Sequence, residues 1–149
     1  MSEYKQPASV LVVIHTPCLE ILLLERRLHP GYWQSVTGSR EGDETLPAVA
    51  VREVFEETGI DARQYILRDW QQSHRYEIFP EWRHRYAPGV HENTEHVFSL
   101  EIPDRIPVRL AADEHRAMTW LPWQEAAAKC FSWSNRDAIL QLPQRLKPT

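Results

Sequence analysis

Residues 38–60 read GSREGDETLPAVAVREVFEETGI, and both the fold and the chemistry of the chain follow from this stretch. Gly38 is followed after five residues by Glu44, and seven residues later come Arg52 and Glu53, then Val54, Phe55, Glu56, Glu57, Thr58, Gly59 and Ile60. Residues 45–58 are predicted to form a helix. Thr45 can cap it, Pro47 is tolerated in the first turn, and Gly59 is a good stop. At about 100° per residue, Glu53, Glu56 and Glu57 share one stripe of that helix. Pro47, Val51, Val54 and Phe55 centre on the opposite side and are expected to face a core. Three carboxylates on one stripe repel one another unless a cation joins them. All-oxygen donors select a hard ion, so Mg²⁺ is expected, with Mn²⁺ as the alternative. Arg52, four residues before Glu56, is expected to hold that carboxylate by a forked pair. Gly38 is expected to end a strand, leaving its carbonyl open as a further ligand. Three glutamates alone would read as a charged helix laced by ion pairs. The whole pattern argues otherwise: seven fixed residues at ordinary frequencies coincide by chance on the order of 10⁻⁹ per starting position.

The pattern G-x5-E-x7-R-E-U-x-E-E-x-G-U, with U aliphatic, resembles the Nudix box and matches it at every fixed position. The resemblance implies an α/β fold, the Nudix α/β/α sandwich with a mixed sheet, in a single domain over residues 1–149. It implies a pyrophosphohydrolase acting on a nucleoside diphosphate linked to another group, or on a related phosphoanhydride. The metal ligands would be Glu53, Glu56 and Glu57. Glu114, outside the box, joins them by resemblance, with Asp113 its rival. The ions would neutralise the phosphates and position or acidify a water that attacks phosphorus in line. Glu57 and Glu114 are both candidates for the general base, and Arg52 completes the expected catalytic set.

Outward from the box, the apolar run at residues 8–14 reads as a buried strand and residues 21–24 as a second, joined by a hairpin loop at 16–20. Residues 33–37 form a short third strand. Further strands are expected at 64–72, 94–102 and 118–121, with helices at 122–129 and 135–142 and a loop at 102–107. Residues 73–93 form an insertion rich in aromatic and basic side chains. Several strand links are too short for a crossover helix, which predicts a mixed sheet covered on both faces.

Substrate choice must come from outside the box. Tyr4-Lys5, residues 33–39 (WQSVTGS), residues 84–90 (HRYAPGV), Asn93-Thr94-Glu95 and residues 132–136 (SWSNR) resemble the bacterial branch of the family that acts on dihydroneopterin triphosphate. The similarity runs from Tyr4 to about Ile139. It implies release of pyrophosphate from 7,8-dihydroneopterin triphosphate, leaving the monophosphate, as a step of folate biosynthesis. It carries substrate contacts over to Lys5, Arg26, Thr37, Tyr76, Glu77, Ile78, Phe79 and Ser132. Two cations suit a triphosphate, and Arg27 is an alternative to Arg26. A pterin is flat and rich in hydrogen-bonding groups, so it wants an aromatic face and a carboxylate acceptor. Glu77 is the first choice for that acceptor, and Trp33 and Trp82 could sandwich the ring. Two other readings stand beside this one: a broad pyrophosphohydrolase of nucleoside triphosphates, and a Nudix fold kept as a ligand- or RNA-binding regulator without catalysis.

Composition bounds the partners. Lys plus Arg is 17 and Asp plus Glu 21 in 149 residues, a net charge of −4, which argues against bulk nucleic-acid binding. Arg83-His84-Arg85 is too short a basic patch to change that and suits a pocket or rim. The longest apolar run, residues 10–14, is far below the roughly 20 residues of a membrane span. Residues 1–6 lack a basic region followed by an apolar stretch, so no secretion signal is expected. Cys18 and Cys130 suit a reducing cytoplasm as two packed thiols. His91 and His96 are five apart, not the four that a zinc-binding helix needs.

Overall fold

The computed structural model describes residues 4–146; residues 1–3 of the N-terminal hexapeptide read above for a secretion signal lie outside the described residues. The strands are β1 (Ala8–His15), β2 (Glu20–Arg26), β3 (Trp33–Gln34), β4 (Val36–Ser39), β5 (Ile66–Glu77), β6 (Glu92–Glu101) and β7 (His115–Pro122), and the helices α1 (Leu46–Thr58), α2 (Trp123–Lys129) and α3 (Trp133–Arg145). They form one mixed sheet in the order β3-β2-β1-β6-β5, with β4 paired to β1 and β7 to β2. β1 is central and runs parallel to β6 from Ala8↔Thr94 to His15↔Glu101.

The apolar run of β1 has no polar alternation because both of its faces are covered. Val10, Val12 and Ile14 join Val49, Ala50 and Val54 of α1 in one core, while Leu11 and Val13 join Ala126, Ala138 and Ile139 of α2 and α3 in the other. The expected α/β/α layering follows directly. No helix among the described residues is long and apolar enough to cross a membrane.

Four local expectations are corrected. The third strand divides at Ser35, whose backbone N–H donates to Asn135 Oδ1 at 2.8 Å instead of to a neighbouring strand. Gly38 does not end a strand, because β4 continues through it to Ser39, paired with β1 at Val10. β5 does not stop at residue 72; it passes a bulge between Asp69 and Ser73, where Gln71 takes φ 53°, and resumes pairing with β6 as far as Glu77. The extra strand buries His74 and part of Tyr76, residues that no apolar alternation flags. The insertion therefore shrinks to a single 3-10 helix, Pro80–Arg85, and its flanks. Cys130 is buried, but Cys18 lies exposed in the β1–β2 turn, so only one of the two thiols is packed.

Candidate active site

Helix α1 begins and ends as its sequence requires. Thr45 Oγ1 accepts from Ala48 N–H at 3.3 Å, and Gly59 closes the helix at φ 77°, a left-handed conformation that costs a side-chain-bearing residue more. The buried face differs from the expected one. Pro47 and Phe55 are exposed, whereas Glu53 and Glu57 lie buried beside Ala50 and Val54. Two of the three acids therefore point into the protein along the edge of the core, and only Glu56 faces solvent.

Glu57 is 1% exposed, and neither of its carboxylate oxygens has a hydrogen-bond partner. Burial first and the Glu53 charge second push its carboxyl well above the usual carboxylate range. Glu53 is raised as well, chiefly by burial. The exposed Glu114 and buried His115, on the segment entering β7, reach the same place. One ligand atom from each of Glu57, Glu114 and His115 lies within 4.8 Å of the others. His115 Nε2 stands 3.5 Å from Glu57 Oε1, and burial, with Arg26 nearby, pushes its imidazole down to about 4. A neutral imidazole leaves Glu57 uncompensated. A buried carboxylate without a hydrogen-bond partner, Glu57, fits a divalent cation, and the mostly oxygen donor set fits a hard one.

Arg52 does not fork onto Glu56. Its Nε and Nη2 each reach Glu44 at 2.9 Å, Nη2 also donates to the Ser39 carbonyl at 3.0 Å, and Nη1 donates to Glu53 at 2.7 Å. Glu56 receives only a long contact of 3.4 Å. Glu44 comes into reach because residues 39–44 turn back over the helix, and the Arg52 guanidinium holds its carboxyl below the ordinary range. Arg52 does not line the cavities described next; it stands behind the acids and positions them.

Gly38 has a stricter requirement than strand geometry. A Cβ there would lie 1.9 Å from Glu53 Cδ and 2.3 Å from both of its oxygens. Gly38→Ala must expel the Glu53 carboxylate. We expect kcat to fall by about 10²-fold, the cost of displacing a catalytic group by an ångström, while circular dichroism still reports a folded chain. Wild-type kcat in this variant would show that Glu53 does no work where it stands.

Two adjoining cavities share Thr37, Gly38 and Ser39 of β4 in their lining. The first, about 340 Å³, is lined by Tyr76, Glu77, Ile78, Phe79, Trp82 and Ser132 among others. The second, about 950 Å³, contains Glu53, Glu56, Glu57, Asp113, Glu114 and His115. Lys5, Arg26, Thr37 and Arg85 line both and mark the junction. Lys5 is brought there by its backbone N–H, which donates to the Arg85 carbonyl at 2.9 Å. Arg26 and Arg85 both lie over the Trp82 ring, at 4.7 and 5.7 Å. Loss of water first, and repulsion from Arg85 second, hold both Lys5 and Arg26 below their ordinary values. Three cations pressed together call for an anion.

The remaining sequence candidates divide. Arg27 does not face the cavities; it donates to the Ala112 carbonyl at 2.8 Å and braces the Glu114 segment. Trp33 lies under Lys129, 4.8 Å from its ammonium, and packs in the α2–α3 core. Phe131, not Trp33, lines the first cavity, and it stacks on Tyr32 at 4.6 Å. Glu77 sits at the rim, with a side chain 78% exposed and Arg83 at 3.9 Å. Ser132 both lines the cavity and caps α3, accepting from Asn135 N–H at 3.1 Å. His115 and Phe131 carried no signal in the sequence beyond adjacency to Glu114 and to Ser132.

Comparison with known proteins agrees with this architecture. Residues 5–142 match the NUDIX domain family. The chain is 50% identical over 141 residues to the dihydroneopterin triphosphate diphosphatase of Escherichia coli (strain K12), covering 93% of each chain. It is 39% identical over 143 residues to the protein of the same name from Haemophilus influenzae, covering 93% of this chain and 89% of that one. The solved structure of the E. coli dihydroneopterin triphosphate pyrophosphohydrolase superposes with a TM-score of 0.88 at 48% identity, over 97% of this chain and 99% of that one. A complete box, the sandwich that carries it and a family match over most of the chain converge, and the protein belongs to the Nudix family of hydrolases.

Proposed function

We propose that this Nudix hydrolase converts 7,8-dihydroneopterin triphosphate to the monophosphate and pyrophosphate, with Mg²⁺ as its ion, within a single domain. One observation carries the reading: an aromatic slot of about 340 Å³ adjoins, across three cations, a groove of acids of which Glu53 and Glu57 are buried. A flat heterocycle occupies the slot, and its triphosphate tail crosses Lys5, Arg26 and Arg85 to reach Glu53, Glu56, Glu57 and Glu114. The relatives described above are named for this reaction.

Nudix hydrolases generally use divalent metal ions, and here Glu53, Glu56, Glu57 and Glu114 would hold them. When bound, the ion supplies charge neutralisation at the phosphates and activation of the attacking water. The chain's own residues do the rest. Phe79 and Trp82 offer apolar faces to the ring, while Thr37 offers a hydroxyl beside the first phosphate. Lys5, Arg26 and Arg85 fix the tail in line. Water adds to phosphorus, the bridge between the α and β phosphates breaks, and pyrophosphate departs. The proton of the water passes to a groove carboxylate, Glu57 or Glu114. The same chemistry would run on a nucleoside triphosphate whose base enters the slot.

A side-by-side measurement of kcat/KM with Mg²⁺ tests the substrate. A preference of at least about tenfold, or 1.4 kcal/mol in the transition state, for the pterin over the deoxynucleoside triphosphates is expected. Equal or better nucleotide turnover would overturn the pterin reading. Turnover no higher than that of Glu53→Gln on every substrate would point to a non-catalytic binding module.

A further inference from the structure

The floor of the aromatic slot holds a buried polar group that the reaction described above does not use. β5, β6 and β1 place Tyr76 opposite Asn93, His74 opposite Glu95, and Ser9 beside Glu95, so all five side chains share one face of the sheet. That face looks toward the N-terminus of α3. His74 Nε2 is engaged, 3.0 Å from Asp137, while its buried Nδ1, opposite Glu95, has no hydrogen-bond partner. Asn93 Nδ2 is engaged too, donating to Ser9 Oγ at 2.7 Å and to the Tyr76 hydroxyl at 3.0 Å.

Glu95 is different. It lines the slot, is 4% exposed, and its Oε1 has no partner. Asn93 Oδ1 beside it, on a residue 2% exposed, also has none. Burial raises the Glu95 carboxyl, and the Ser134 hydroxyl offsets only part of that. A buried acceptor without a donor costs stability, so a native site that keeps one is built for a ligand that brings the donor. Glu77, the acceptor expected from sequence, stands in water at the rim and would discriminate weakly.

We propose that Glu95, with Asn93 Oδ1 beside it, selects the heterocycle by accepting the amino and ring N–H groups of a 2-amino-4-oxo-pyrimidine edge. This rests on the reading that a pterin ring fills the slot. Dry acceptors aimed at ligand N–H groups reject analogues that lack them far more strongly than apolar walls do. Glu95 touches the ring and no phosphate, so its contribution falls on binding and not on the chemical step.

The test is Glu95→Gln, which keeps the shape and removes the charge. Unphosphorylated 7,8-dihydroneopterin is titrated without metal, with the fluorescence of Trp82 in the slot wall as the readout, and the triphosphate is then assayed with Mg²⁺. Binding is expected to weaken at least about tenfold and KM to rise equally with kcat within about twofold, while the melting temperature holds or rises. A triphosphate bearing oxo in place of the 2-amino group should lose affinity with wild type and nothing further with the variant. Unchanged binding, or a falling melting temperature with equal losses on both ligands, overturns the role of Glu95 and leaves the substrate reading standing. A wild type that neither binds dihydroneopterin nor hydrolyses its triphosphate overturns both.

Discussion

Replacing Glu57 by Gln is expected to lower kcat about 10³-fold and, at the same time, to raise the melting temperature of the metal-free protein. The two effects have one cause. Glu57 is buried with both oxygens unpartnered, close to Glu53 and Glu114. Without a cation its charge is a liability; with one it is a ligand, and losing such an electrostatic stabiliser typically costs about 10²–10³ in rate. Because folding raises its pKa, the native state holds the proton more tightly than the unfolded chain does. Stability attributable to this group is therefore lost as pH rises from the ordinary carboxylate range through the raised value. The advantage of the variant should be present at neutral pH and vanish below about pH 4.5, where both forms carry a neutral side chain. Adding MgCl₂ should raise the melting temperature of wild type by mass action and that of the variant much less, and EDTA should abolish wild-type turnover. Thermal melts at several pH values, with and without Mg²⁺, read all of this. A variant that melts lower than wild type at neutral pH without metal, or that keeps more than a tenth of the activity, would sink the assignment.

The reach of the sequence ended where contacts stopped being local. The helix of the box, its Thr45 cap and its Gly59 stop were legible because each depends on neighbours within one or two turns. The carboxylate stripe was legible for the same reason, but its orientation was not. Polarity placed the acids outward and Phe55 inward, whereas the sheet closes on Ala50 and Val54 and takes Glu53 and Glu57 with them. Helical spacing offered Glu56 to Arg52; the better partner, Glu44, is reached only by the turn of residues 39–44. The slot floor was harder still. Asn93 and Glu95 belong to a segment that carries the resemblance, yet nothing local says that β5 resumes beyond its bulge and places them against Tyr76 and His74. The resemblance offers Glu77 in the stretch Tyr76–Phe79, and nothing in the sequence says that this acid stands at the rim while Glu95 is buried.

Arg52→Lys should be the most damaging conservative change in the protein outside the cavity walls. The guanidinium spends all three of its nitrogens: two on Glu44, with one of these also on the Ser39 carbonyl, and the third on Glu53 at 2.7 Å. It thereby ties the helix to the loop that precedes it and sets the rotamer of Glu53, whose carboxylate lies against Gly38. A lysine keeps the charge but has one nitrogen and no fork, so it cannot serve Glu44 and Glu53 together. The expected result is a loss of about 10²-fold in kcat/KM, with a clear rise in the Mg²⁺ concentration needed for half-maximal rate. The metal requirement is the decisive reading, because a brace that only stabilised the fold would lower the melting temperature and leave it unmoved. Glu44→Gln breaks the same fork from the other side. If Arg52 works through that pair, the double variant should be little worse than either single one. Fully additive losses, or a Mg²⁺ dependence identical to wild type, would mean that Glu53 is held by its burial alone and that Arg52 is a surface ion pair with no part in the reaction.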